Sequence, residues 1–291
     1  MNDTELKCAA QHIGPWWADS RWLSEMVAAY RAGQLPQAAA PPKGEPDDEG
    51  LYRLYEGVAR ISIIGMMTKG VSSFGGTSTI RTRQALRKAV SDEAVEAILL
   101  SIDSPGGTVA GCPDLAADVV KAGKQKPLYA HIDDQGASAA YYVAAGAERI
   151  TANANALIGS LGTVLVLEDS SAKAEKDGVE VHVLTTAPHK ATGIPGVPIS
   201  AKQLKAEQEI VDDLGRNFID HVNASRSLAL TMGVGAADGR VFIAAKAKSM
   251  GLIDAVQPFE ATLGELIGRL EAATAQRRAA TAQVMVDTIR A

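Results

Sequence analysis

From residue 57 onward the chain alternates between two hydrophobic periods, and this alternation restricts the fold more than any other feature. "GVARISIIG" (57–65) reads as a strand and "TSTIRTRQALRKAVSD" (77–92) as a helix. "VEAILLSID" (95–103) is a continuous apolar run, as expected of a strand covered on both faces. "DLAADVVKAG" (114–123) is helical, "PLYAHID" (127–133) a strand, and "GASAAYYVAAGA" (136–147) a helix. "RITANANALIGSLGTVLV" (149–166) reads as strands with turns, "AKAEKDG" (172–178) as a helix and "VEVHVLTT" (179–186) as a strand. A long helix is expected over 199–228 with a serine near its start, and "ADGRVFIAAKAKSMGLIDAV" (237–256) closes the core. Strands alternating with helices predict an α/β fold with a mostly parallel sheet.

Two flanks differ from this core. Residues 12–33 hold all three tryptophans, Trp16, Trp17 and Trp22, and read as a short amphipathic helix with an aromatic anchor, packed on its own domain or on a neighbour. "QLPQAAAPPKGEPDDEG" (34–50) is rich in Pro, Ala and acid, which predicts a linker. The segments expected are therefore an aromatic helical stretch over 1–33, the linker over 34–50, the core over 51–257 and an Ala/Arg-rich helical tail over 258–291.

Composition narrows the function. Hydrophobic residues make up 46% and the net charge is −5, so a globular core is expected without a basic field for nucleic acid. Cys8 and Cys112 match neither a disulfide framework nor a zinc site. No P-loop, H-E-x-x-H or paired Cys/His ligands occur, so neither a cofactor nor a metal is expected. The first residues lack the basic and apolar regions of a signal peptide, and no stretch approaches a membrane span, so neither secretion nor a membrane partner is expected.

Ligands of open α/β sheets bind beyond the carboxyl ends of the strands. Two strand ends here carry unusual sequence. After the run ending at Asp103 comes "SPGGTVAG" (104–111), where Gly106 and Gly107 permit close backbone approach ahead of a helix. That turn is a candidate oxyanion hole or simply a tight corner. Asp103 is read as ordering it. After "PLYAHIDDQ" comes Gly136-Ala137-Ser138-Ala139-Ala140, close to a nucleophile elbow but without its last glycine. A serine hydroxyl needs a base. His131 and His182 lie in predicted strands and read as packed, His221 sits on the long helix, and His12 and His189 complete the set. Lys190 lies beside His189 in a proline-containing loop, and a desolvated lysine can serve as base. Cys112 reads as buried filler.

The stretches "SIDSPGGTVAG", "GASAAYYVAAGAERITANANALIGSLGTV", "HKATGIPGVPIS" and "ADGRVFIAAKAKSMGLID", in that order over residues 57–257, resemble the signal peptide peptidase A family of serine proteases. The resemblance implies the Clp-protease/crotonase-like fold, with repeated ββα units. It implies a Ser–Lys dyad in which Ser138 is the nucleophile, Lys190 the base and Ser160 the hydroxyl that holds the lysine. It implies that Gly107 and the N–H of Ala139 form the oxyanion hole, with Gly106 and Gly107 binding an extended substrate and small apolar residues preceding the cut. It also implies homo-oligomeric rings, with active sites that can draw on adjacent subunits. Alanines at 139 and 140, where many members have glycines, together with the Trp-rich start, resemble the tailed-phage head maturation proteases. Scaffold and capsid proteins would then be the substrates, inside a procapsid in the host cytoplasm. The alternatives are a cytoplasmic bacterial peptidase of the same family, a crotonase-like acyl-CoA enzyme, and a catalytically silent capsid protein.

Overall fold

The computed structural model describes residues 15–31, 50–72 and 75–290. Cys8, His12 and almost all of the expected linker lie outside them. In chain order the elements are β1 (Trp16–Ala18), α1 (Ser20–Arg31), β2 (Arg53–Tyr55), β3 (Val58–Ile64), β4 (Met67–Thr68), β5 (Thr77–Ser78) and α2 (Thr79–Ser91). Then come β6 (Ala97–Ser104), β7 (Gly106–Thr108), α3 (Cys112–Gly123), β8 (Leu128–Ala137), α4 (Ala139–Ala144), β9 (Arg149–Ala152) and β10 (Leu157–Gly159). The chain continues through α5 (Ser171–Lys176), a 3-10 turn (Pro188–Ala191), α6 (Ala201–Arg226), β11 (Val241–Ile243), α7 (Ala244–Ser249), β12 (Ala255–Val256) and α8 (Phe259–Arg290).

The larger sheet runs β11-β10-β8-β6-β3-β2, with β9 and β12 branching from β8. Its central pairs, β3 with β6, β6 with β8 and β8 with β9, are parallel. The expected α/β class, mostly parallel with a helical C-terminal segment, is what the chain adopts. Alternate residues of each strand point to opposite faces. One face sends Ile98, Leu100, Ile102, Ala130, Ile132 and Ile150 into the main core with α2, α3 and α4. The other sends Val58, Ala97, Leu99 and Tyr129 against Leu266 and Leu270 of α8. The tail expected from residue 258 thus begins with turns that close this second face. A continuous apolar run at 97–102 follows directly from cover on both sides.

One polar ladder interrupts the second face. Ser101, His131 and Thr151 are neighbours across β6, β8 and β9. His131 is fully buried, and its Nδ1 lies 2.8 Å from Thr151 Oγ1 and 3.1 Å from Thr262 Oγ1 of α8. Its Nε2 lies 3.6 Å from Asp133. Burial holds the His131 ring below the usual histidine range, against the opposing pull of Asp133 and Glu260, while Arg60 adds to the lowering. His221 is lowered by burial too.

Two expectations fail. Residues 179–186 form no strand: Val179, Val181 and Leu184 are exposed, and His182 is a surface side chain. Alternating valines supply the period of a strand but no edge for it to pair with. Trp16 and Trp17 belong to a strand, and the helix starts only at Ser20. Both rings are buried on the chain's own body, so the aromatic anchor does not wait for a neighbour.

Tyr141 of α4 is fully buried and its hydroxyl donates to Leu252 O at 2.7 Å. Tyr141→Phe should lower unfolding free energy by about 1–3 kcal/mol, because a buried carbonyl loses its donor. Tyr141→Ala should cost about 3–5 kcal/mol in the same denaturant titration. His131 takes up its proton less readily in the folded chain than in the unfolded chain. Stability is therefore present above the ordinary histidine value of about 6.5 and lost as pH falls below it. The melting temperature should drop between pH 7.5 and pH 5, and His131→Asn should reduce that drop, measured by circular dichroism.

Candidate active site

Both strand ends singled out from the sequence converge on one corner of the fold. β8 runs out through Gln135–Ala137, which pair with Leu157–Gly159 of β10. The chain then turns at Ser138 into α4. Ser138 takes φ 53°, ψ −119°, a conformation costly for a residue with a Cβ and characteristic of a strand-to-helix elbow. The turn is held by Ser138 N–H donating to Gly159 O at 2.8 Å and by Tyr142 N–H donating to Ser138 O at 2.8 Å. Ser138 is fully buried, and its Oγ has no hydrogen-bond partner. A buried hydroxyl without a partner is destabilising, so the site keeps it for a reason other than packing.

The glycine turn lies directly against this elbow. A Cβ on Gly106 would come within 2.9 Å of Ala139 N and 3.0 Å of Ala137 O, and within 2.2 Å of Trp17 O. A Cβ on Gly107 would stand 1.8 Å from Met67 O. Glycine is therefore required at both positions by backbone contact, as well as by the positive φ of 98° at Gly106. Ser104 fixes the turn from within: its Oγ donates to Gly65 O at 2.6 Å and accepts from Gly106 N–H at 3.2 Å. Asp103 stands just before the turn, its carboxyl held above the usual range by burial and by nearby Asp134 and Asp133.

Behind the elbow, Tyr142 stacks on Phe218 of α6 at 5.1 Å and packs on His221 at 4.1 Å. His221 Nε2 is 2.9 Å from Tyr142 O, so this imidazole is spent on packing. Cys112 is also unfit as a nucleophile, since burial pushes its thiol up to about 12. His189 lies on an exposed stretch.

Ser160, at φ 54°, is buried and anchored by its N–H donating to Arg240 O at 2.7 Å. Lys190 is not brought to Ser138 in the single chain. It sits exposed on the Pro188–Ala191 turn, and Ser138 Oγ accepts no hydrogen bond from it. Among the described residues no group of three or more His, Cys, Asp or Glu side chains could hold a metal. No helix among them is long and apolar enough to cross a membrane.

Sequence reasoning missed a further neighbour of the site. β1 lies antiparallel to β7, with Trp17 opposite Gly107. On its other side Trp16 exchanges backbone hydrogen bonds with Val164 at 2.8 and 2.9 Å. The Trp17 ring lies 4.5 Å from Tyr142 and 4.9 Å from Phe218, and its Nε1 donates to Thr163 Oγ1 at 2.7 Å. A three-residue strand is too short to show a period, and only the paired tryptophans signalled it.

Comparison with known proteins places this corner in a family. The model of peptidase family S49 matches residues 121–272, which include the elbow, Ser160 and Lys190. A protein of Methanocaldococcus jannaschii named "Putative protease" is 30% identical over 175 residues, covering 60% of this chain and 56% of that protein. The capsid assembly protease C of Escherichia phage lambda is 28% identical over 246 residues, covering 81% of this chain and 54% of the phage protein. The chain thus spans little more than half the length of these two relatives. Among solved structures, an enoyl-CoA hydratase/isomerase family member aligns with a TM-score of 0.42 at 15% identity, over 80% of this chain and 77% of that one. With the family model matched over more than half its length, the chain belongs to peptidase family S49.

Proposed function

We propose that this chain is a serine endopeptidase with Ser138 as nucleophile and Lys190 as general base, acting on scaffold and capsid proteins of an assembling phage head. The observation that carries the reading is the Ser138 elbow: a strained, buried serine with a free Oγ, set against a glycine turn at the end of a parallel sheet. The similarity to the lambda capsid assembly protease supports the phage setting.

On this reading Ser138 Oγ attacks the peptide carbonyl carbon while Lys190 accepts its proton. The backbone N–H groups of Gly107 and Ala139 face the oxyanion that develops. The lysine returns the proton to the departing amine, leaving an acyl group on Ser138 that water then removes. Ser160 holds the lysine amine.

The exposed position of Lys190 requires assembly. The stretch that carries it, with the start of α6, leaves Val166, Val179, Leu184, Leu204 and Ile210 uncovered, and Leu184 is 99% exposed. So many uncovered apolar side chains on one stretch mark a protein–protein surface. A neighbouring subunit packed there would withdraw water from the lysine, the condition under which an amine acts as base. The pair would then form between copies, in a homo-oligomer.

Cleavage of an unfolded protein, followed by mass spectrometry, tests the mechanism. Ser138→Ala and Lys190→Ala should each lower the rate by roughly 10³-fold or more without changing assembly. Mixing the two inactive variants should restore part of the activity, because some interfaces then pair an intact serine with an intact lysine. Cleavage that survives both substitutions overturns the dyad.

A further inference from the structure

We propose that β1 is the chain's own occupant of the substrate-strand site, with the Trp17 ring filling the side-chain pocket beside Ser138, and that a polypeptide substrate enters by replacing it. The inference rests on reading Ser138 as the nucleophile.

The argument starts from the hydrogen-bond pattern. Asp19 N–H donates to Pro105 O at 2.8 Å and Val109 N–H donates to Pro15 O at 3.3 Å. In an antiparallel ladder hydrogen-bonded pairs recur every second residue. The pair between those two bonds is Trp17 with Gly107, so the Gly107 N–H faces the Trp17 carbonyl. That N–H is the proposed oxyanion donor. The same Gly106 Cβ position lies 2.2 Å from Trp17 O and 2.9 Å from Ala139 N, so the Trp17 carbonyl also shares the space of the second proposed donor.

The opposite wall of the cleft completes the picture. Trp16 N–H donates to Val164 O, and Val164 N–H donates back to Trp16 O. β1 is thereby held between the glycine turn and the stretch that follows Ser160, its backbone satisfied on both sides. This is strand addition, the mode by which extended peptides are held with little regard to side chains. Side-chain choice comes from the pocket instead. Tyr142, Phe218 and Thr163 enclose Trp17, which is 1% exposed, and the Thr163 hydroxyl takes its indole N–H. The pocket therefore suits a large aromatic side chain, not the small one implied by family resemblance. Ser138 is buried in a chain whose cleft is already filled.

The test uses the full chain carrying Ser138→Ala and a dye-labelled peptide of residues 14–21 with phenylalanine at both tryptophan positions. All three tryptophans lie within residues 16–22, so intrinsic emission reports on this segment alone. As the peptide saturates, tryptophan emission should shift to the red, because Trp17 leaves its pocket. Trp16→Pro removes the N–H that bonds Val164 and should tighten peptide binding about tenfold, since less of the chain is then held closed. Trp17→Phe removes the indole donor to Thr163 and should act in the same direction if the proline variant does not fold. Binding with unchanged emission, equal affinity for the loosened and unaltered chains, or no binding to any of them would each overturn the proposal. Because no bond is cut in this assay, its result is separate from the cleavage results for Ser138 and Lys190.

Discussion

The site depends on one close approach: the backbone of the Gly106–Gly107 turn packed between Met67, Trp17 and the Ser138 elbow. Any Cβ at Gly107 would meet Met67 O at 1.8 Å, which no side-chain movement relieves, because the obstacle is backbone. The small sheet β1-β7-β4-β5 exists because two residues without side chains let three strands approach at that point. The elbow is fixed independently, by the ladder between Gln135–Ala137 and Leu157–Gly159. Two rigid pieces of backbone thus meet at Ser138, each held by the sheet rather than by a loop. Backbone donors held this way need no reorganisation when charge develops, which is the condition for effective oxyanion stabilisation.

A single chain gives the proposed nucleophile a dry position and leaves the proposed base in water. This division has a physical rationale. A lysine enclosed beside Ser138 would lose its hydration, which weakens the folded state unless a carboxylate is paired with it. On its exposed turn Lys190 avoids that cost, and in the proposed assembly a partner surface would supply the burial. Burial of the apolar side chains uncovered along the same stretch would favour such an association.

Much of this was legible in the sequence, for identifiable reasons. The run at 95–103 announced a doubly covered strand because both faces are indeed buried, one by α3 and α4 and one by α8. The turn at 104–111 and the segment at 136–140 were visible as interruptions at strand ends, where runs of small residues mark a close backbone approach. What escaped was every feature that depends on a distant partner. Val179–Thr186 has the alternation of a strand, yet pairing needs an edge that the alternation itself does not specify. β1 has too few residues for any period, and its partner Gly107 lies 90 positions away. The separation of Ser138 from Lys190 within one chain is likewise something that neither motif encodes.

The two tyrosines of the turn that follows Ser138 show how adjacent residues of one type divide their work. Tyr141 points away from the cleft, buried among core side chains, and spends its hydroxyl on Leu252 O near the end of the domain. Its loss would loosen α4 from the body. Tyr142 points the other way, its ring shared between Trp17, Phe218 and His221. It forms part of the cleft wall, so its substitution would change what the cleft can hold as well as how well α4 is anchored. One helical turn therefore couples the stability of the elbow to the shape of the pocket. Phe218 packs on Tyr142, the residue whose N–H donates to Ser138 O at 2.8 Å. On the proposed reading of the cleft, Thr163 on the opposite wall can change without disturbing either ring behind Ser138.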